Sequence, residues 1–323
     1  MGKKVVVLGT GGTIAGRAER GSDNVGYKAG QVGVQSLLQD IAPLQDALCG
    51  RALVAEQVAQ VDSKDMGFSV WAALAQRCAQ HLQDAEVDAV LITHGTDTLE
   101  ETAYFLEQVL PATLLQSKPL VLTCAMRPAS ALTPDGPQNV LDAVAVALDD
   151  MARGVLVVCA GAVHSARLVQ KCYTYRVDAF DSGDAGPLAL VEEARVRWLG
   201  NPDLAPSPRM VDLPALANAP WPRVEIVMSY AGASGAMVRS LVAPDVTVPP
   251  LRGLVVAGTG NGTLHVDLET ALLEAQAHGV QVVRASRCAR GQVVAGDAPA
   301  ALPHSQGLSP VKARIALMLE LMA

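Results

Sequence analysis

Aromatic residues are scarce, at 3% of 323 positions, although half of the chain is apolar. The core must therefore be built from alanine, valine and leucine, a texture that suits small-faced helices packed on a parallel sheet. Basic charge is also in short supply. Lysine plus arginine number 25 against 32 aspartates plus glutamates, a formal net charge of −7. That argues against a nucleic-acid surface or an acidic membrane as partner. The six cysteines, Cys49, Cys78, Cys124, Cys159, Cys172 and Cys288, form no C-x-x-C pair. No Cys/His spacing resembles a zinc site, so no metal is expected. No disulfide framework is suggested either, which fits a reducing compartment. No segment approaches the ~20 apolar residues of a membrane helix. Met1-Gly2-Lys3-Lys4 has the positive start of a signal peptide, but the apolar run behind it is too short. The cytoplasm is the expected location.

What is present is an alternation of apolar strand-like runs with helix-like segments. The runs are 4–8, 51–60, 87–93, 119–124 and 154–159, and helical patterns lie near 34–41, 67–84, 99–110 and 138–151. This order predicts an α/β fold with a doubly wound, mostly parallel sheet. Between Gly186 and Pro222 prolines interrupt the pattern. A second alternation follows: strands at 224–228, 253–257 and 280–284, helices at 233–241 and 264–278, and a last helix from about Ser309. The expected division is a catalytic α/β domain over 1–195, a Pro-rich linker over 196–222 and a smaller α/β domain over 223–323.

Two turns stand out. Val5-Val6-Val7-Leu8 runs into Gly9-Thr10-Gly11-Gly12-Thr13-Ile14-Ala15-Gly16, and Val90-Leu91-Ile92-Thr93 into His94-Gly95-Thr96-Asp97-Thr98. Both place glycines and hydroxyls at the carboxyl end of a strand, where open α/β sheets bind ligands. The first turn has glycines spaced somewhat like a dinucleotide fingerprint. It leads into polar Arg17–Asn24 rather than a helix, which argues against NAD and for a lid-like loop beside a site. In the second turn Asp97 or Thr98 suits a helix cap, and His94 reads as a packing or hydrogen-bonding residue. Asp62-Ser63 ends another strand and also reads as a capped turn. Lys171, in a chain with few lysines, follows the fifth strand and could serve as a proton acceptor beside a hydroxyl and a carboxylate.

Taken together these segments resemble the bacterial-type L-asparaginase/glutaminase family. The resemblance spans nearly the whole chain. It rests on Thr10–Gly16 and Ile92–Ala103, with Ala125-Met126-Arg127-Pro128, Asp135-Gly136-Pro137, Phe180, Ser182, Gly186-Pro187-Leu188 and Gly260-Asn261-Gly262. The resemblance implies an amidohydrolase that converts L-asparagine to L-aspartate and ammonia, with glutamine as a secondary substrate and no cofactor. By the same likeness Thr13 is the nucleophile, and Tyr27 lies on the mobile loop near it. Thr96, Asp97 and Lys171 form a second catalytic cluster. Thr96 also holds the oxyanion and Asp97 pairs with the substrate's α-ammonium. Ser63 takes the α-carboxylate, and the Ala125 carbonyl orients the amide. The family further implies a homotetramer, a dimer of dimers with active sites at subunit interfaces.

Two positions depart from the family's pattern. Lys64 replaces a glutamine near the α-ammonium and is expected to turn away, because an inward ammonium would repel that group. Gly232 stands where well-studied periplasmic members have an asparagine from the neighbouring subunit, so weaker affinity and an altered Asn/Gln preference are expected. Asp297 is the candidate for the acidic partner of Tyr27. Two other readings compete with the hydrolase. A non-catalytic asparagine-binding or sensing protein on this fold is expected to have lost Thr13, Thr96 or Lys171, and all three are present. A tRNA-dependent amidotransferase subunit is expected to carry an extra N-terminal β-barrel and to favour RNA, whereas this acidic chain starts at its first strand.

Overall fold

A computed structural model describes residues 3–202, 213–296 and 301–323. The chain divides into two compact units, one reaching from the start to about residue 208 and the other essentially from Asn218 to Ala323.

The first unit is built on strands β1 (Lys4–Gly11), β2 (Ala52–Val61), β3 (Val87–Thr93), β4 (Leu120–Thr123) and β5 (Val155–Cys159). It is extended by β6 (Ala162–Ser165), β7 (Gln170–Lys171), β8 (Phe180–Asp181), β9 (Ala189–Glu192) and β10 (Arg195–Trp198). Eight of these make one sheet in the order β10-β9-β6-β5-β4-β3-β1-β2. The five strands from β2 to β5 in that order pair in parallel. β6, β9 and β10 add to the edge antiparallel, and β7 and β8 form a separate antiparallel pair. Residues 5–8 of central β1 and 89–92 of β3 are continuous apolar runs because helices cover both faces, as parallel strands require.

The crossovers use helices α1 (Val34–Gln39), α2 (Leu44–Ala47), α3 (Phe68–Gln83), α4 (Leu99–Val109), α5 (Ala112–Ser117) and α6 (Gly136–Ala147). The expected strands and helices of this unit are all present, with ends displaced by a few residues at most. The exceptions to the sequence reading are the short antiparallel strands. β9 and β10 lie within the proline-interrupted stretch, where Arg195-Val196-Arg197-Trp198 pairs with Ala189–Glu192 and joins the large sheet. Short strands with exposed arginines carry no apolar run, so pairing alone defines them.

A short helix, α7 (Leu213–Asn218), belongs to the first unit as far as Ala217. The second unit is built on the strands β11 (Arg223–Met228), β12 (Leu251–Gly258) and β13 (Gln281–Ser286). These pair in parallel in the order β11-β12-β13. Helices α8 (Ala236–Val242), α9 (Val266–Ala277) and α10 (Pro310–Met322) complete it. Its core joins Val227, Leu254 and Val256 of the sheet to Val238, Leu268 and Leu272 of the helices.

Candidate active site

Sheet order brings the singled-out residues of the first unit together. β2, β1, β3 and β4 are neighbours, and their carboxyl ends deliver Ser63, Thr13, Thr96 with Asp97, and Ala125 in that spatial order. The register is tight, since Gly9 is level with both Gln57 and Thr93, and Thr93 with Thr123.

Two glycines decide how closely the turns approach. Gly12 has φ +79, and a Cβ there would fall 2.2 Å from the Gly95 Cα. A Cβ on Gly95 would fall 2.5 Å from the Ser63 hydroxyl oxygen. Only hydrogen at both positions lets the Thr13 turn rest against the Thr96 turn, and these turns against Ser63. Thr13, in a single turn of 3-10 helix (Thr13–Ala15), is nearly buried.

Tyr27 comes from the loop that leaves this turn. Its phenol oxygen lies 2.6 Å from the Thr13 hydroxyl oxygen. Arg17 and Lys28 close the loop's base by exchanging backbone bonds of 3.0 and 2.8 Å. Partial burial raises the Tyr27 phenol above its usual range, and the carboxylates of Asp62 and Asp97 push the same way. The Thr13 hydrogen bond and the Lys64 charge oppose that rise. Tyr27 is therefore a neutral phenol at physiological pH.

The second cluster needs no loop. Lys171 Nζ donates to Thr96 Oγ1 at 2.8 Å and to Asp97 Oδ1 at 2.6 Å. The Lys171 backbone N–H donates to Glu100 Oε1 at 3.2 Å, which ties β7 to the first turn of α4. Ser63 Oγ accepts the Asp97 N–H at 3.1 Å. Among the described residues the Ser63 and Thr96 hydroxyl protons have no acceptor, so both remain available to a ligand. The expected cap at α4 does not form. Thr98 is the N-cap without a side-chain cap bond, because its hydroxyl donates to the Ser63 carbonyl at 2.8 Å. Asp97 is engaged by Lys171 instead.

His94 faces inward. Its Nδ1 lies 2.7 Å from the Gly95 carbonyl, which can only accept, so Nδ1 carries the proton. Nε2 then accepts from the Thr102 hydroxyl at 3.0 Å, whose oxygen accepts from Trp71 Nε1 at 2.9 Å. Complete burial pushes the imidazole down to about 4, so it is neutral near pH 7. Because the peptide is planar and trans, holding the Gly95 carbonyl toward His94 turns the Thr96 N–H the opposite way.

Ala125 is fully buried beyond the end of β4. Asp135 accepts the Met126 and Arg127 N–H groups at 2.9 Å each and so fixes the turn that follows. Glu100 and Asp135 are positioning groups that reading the residues one by one did not single out. Asp135 lies in the quoted Asp-Gly-Pro segment, and Glu100 lies in the first turn of α4.

Lys64 turns away, as expected. It pairs with Asp62 at 2.5 Å and Asp65 at 3.3 Å. Gly232, in the second unit, has φ +75 and open space where a Cβ would stand. That conformation is one asparagine tolerates. Asp297 lies outside the described residues.

The family model described as "Asparaginase, N-terminal" matches residues 4–204. "Glutaminase/Asparaginase C-terminal domain" matches residues 223–323. L-asparaginase 2 of Escherichia coli is 36% identical over 98% of this chain and 88% of its own. Glutaminase-asparaginase of Pseudomonas fluorescens biotype A is 34% identical over 98% and 86%. The crystal structure of a probable cytoplasmic L-asparaginase from Campylobacter jejuni superposes with a TM-score of 0.86 at 35% identity. It covers 99% of this chain and 95% of that one.

Proposed function

The chain belongs to the asparaginase/glutaminase family, and on that premise we propose that it hydrolyses L-asparagine to L-aspartate and ammonia through a Thr13 acyl-enzyme. The observation that carries this reading is the meeting of a nucleophile pair, Thr13 and Tyr27, with a hydroxyl–lysine–carboxylate cluster, Thr96, Lys171 and Asp97.

A threonine hydroxyl is a weak nucleophile until a neighbour accepts its proton. Thr13 Oγ1 attacks the side-chain amide carbon as its proton passes to the Tyr27 oxygen and the Tyr27 phenol proton passes on to the amide nitrogen. The negative charge that develops on the amide oxygen is met by the Thr96 N–H, which is held outward by the His94 anchor. Collapse of the tetrahedral adduct breaks the C–N bond. The nitrogen leaves as ammonia after receiving a proton, and Thr13 is left esterified. Water, oriented by Thr96 and Lys171, then attacks the ester, releases aspartate and restores the Thr13 hydroxyl. The free Ser63 proton suits an α-carboxylate, Asp97 suits an α-ammonium, and the Ala125 carbonyl suits the amide N–H. No step calls for a metal or cofactor. L-glutamine is the secondary substrate, a reading supported by the relative named glutaminase-asparaginase.

We place the protein in the cytoplasm on its cysteine pattern. Relatives with printed locations divide, one being named periplasmic and another cytoplasmic. We also take the working form to be a homotetramer with active sites at subunit interfaces, by analogy with the family.

The test is ammonia release from L-asparagine and L-glutamine by the wild type and Thr13→Ala. Loss of the nucleophile should lower asparagine turnover by about 10³-fold or more. Undiminished release from the variant defeats the mechanism. Binding of asparagine without turnover by the wild type favours a sensing protein.

A further inference from the structure

Beneath the loop that carries Tyr27 is a cavity of 310 Å³ whose lining includes Arg17, Arg127, Asp40, Ile14, Val32 and Leu37. Its arginines set it apart from the larger cavities. A 640 Å³ cavity in the second unit also has two arginines, but Arg223 pairs with Glu225 at 3.0 Å and Arg239 with Glu274 at 2.9 Å. A 980 Å³ cavity beside α6 is lined by Asp46, Asp135, Asp142 and Glu193 and by no lysine or arginine. In the small cavity, Arg127 donates to the Thr133 carbonyl and hydroxyl at 3.0 and 2.7 Å, and among the described residues Arg17 makes no side-chain hydrogen bond. Among the described residues neither meets a carboxylate within ion-pair distance.

We infer that this cavity is a binding site for a free aliphatic amino acid, distinct from the active site. Two guanidinium groups suit a carboxylate, which they can grip with paired N–H donors. Asp40, the one carboxylate in the lining, suits an α-ammonium. Ile14, Val32 and Leu37 supply an apolar wall for a short side chain. The volume sits at the small end of the ligand-pocket range, roughly 300–1,000 Å³.

The location couples the cavity to the chemistry. Ile14 follows Thr13 directly. Arg17 is at the loop's base, and Ala18 donates its N–H to Ser130 Oγ at 2.8 Å across the same wall. Arg127 belongs to the turn that Asp135 fixes behind Ala125. An occupant held by both arginines joins the loop's base to the fixed wall and favours the arrangement in which Tyr27 reaches Thr13. This last consequence rests on the proposed Thr13–Tyr27 pairing; the binding itself does not.

The experiment is calorimetric titration of the full-length protein with L-leucine, with saturating L-aspartate present to fill the active site. Saturable binding that aspartate does not displace is expected. Arg17→Gln should weaken it roughly tenfold or more, as loss of a charge-assisted bond does. Leucinamide, without the carboxylate, and 4-methylpentanoate, without the ammonium, should each bind at least as much more weakly. Saturating leucine should lower the KM for asparagine in the wild type and not in Arg17→Gln. Displacement by aspartate, equal binding by Arg17→Gln or by either analogue, or no binding at all overturns the proposal. If titration behaves as expected while asparagine yields no ammonia, the hydrolase reading fails and the cavity assignment stands.

Discussion

Thr13 and Tyr27 meet across a loop, whereas Thr96, Asp97 and Lys171 meet across the end of a buried sheet. None of the residues from Arg17 to Ala29 is buried, and the loop is tied down by its base and by a few backbone bonds to residues 129–132. Around Thr96, by contrast, Thr93, His94 and Thr102 are nearly or wholly inaccessible, and His94 is bonded on both ring nitrogens. Few buried contacts mean that the loop can open at little cost to the rest of the fold, while the second cluster moves only if the sheet does. An enzyme that must admit a small charged substrate and then exclude water gains from this division. On the proposed mechanism, the residue that activates the nucleophile sits on the loop, and the groups that bind and orient are fixed in advance.

The fixed cluster gives the strongest test of the comparison after the nucleophile itself. Lys171→Met removes the donor to both Thr96 and Asp97 and leaves an apolar stem of similar length. Turnover should fall by about 10²- to 10⁴-fold, the range of a lost proton-transfer group, with the melting temperature changed little. A loss of less than tenfold would show that the cluster only binds. Tyr27→Phe tests the loop side. It removes one hydroxyl from a partly exposed segment, and water can enter in its place. The expected loss is smaller, roughly ten- to a hundredfold, and lies in kcat more than in KM. Should Tyr27→Phe prove the more damaging of the two, the fixed cluster would be secondary to the lid.

Much of the architecture was legible because residues 5–8 of β1, 89–92 of β3 and 155–159 of β5 are apolar runs between amphipathic segments. The edge was not, because β6, β9 and β10 are four-residue strands whose identity lies in their partners. Within the site, Thr13 and Thr96 were legible from glycine turns at strand ends. Their spacing in three dimensions was not, since it depends on Gly12 and Gly95 touching, a contact between residues 83 positions apart. Thr98 shows the limit of local rules. It occupies a capping position, yet its hydroxyl donates to the Ser63 carbonyl in the turn that follows β2. Tyr27 could be placed only through the family likeness, because an isolated tyrosine in a polar loop carries no local signal.

His94 sharpens the contrast from beneath the fixed cluster. Its folded pKa of about 4 lies below the ordinary imidazole value of 6.5. A depressed pKa contributes stability that is fully present above about pH 6.5 and is lost as pH falls through about 4. The amount is about 3 kcal/mol at most. His94→Asn should therefore flatten the fall in melting temperature between pH 7 and 4. Asparagine keeps an N–H for the Gly95 carbonyl, so activity at neutral pH should drop only a few-fold. A loss as large as that of Lys171→Met would mean that His94 does more than hold the Gly95 carbonyl.

Lys64 should have the smallest effect, and it asks whether charge at the mouth of the site reaches the substrate. Its ammonium is fully exposed and held by Asp62 and Asp65. Exposed pairs of this kind contribute little and are screened by salt. If Lys64 stays turned outward when substrate binds, Lys64→Gln should change the KM for asparagine by less than about threefold, and salt should not alter that result. A larger fall in KM at low salt, fading as ionic strength rises, would instead show that Lys64 swings inward and repels the α-ammonium. The boundary between the fixed and moving parts of the site would then have to be drawn through residues 62–65 rather than at the loop.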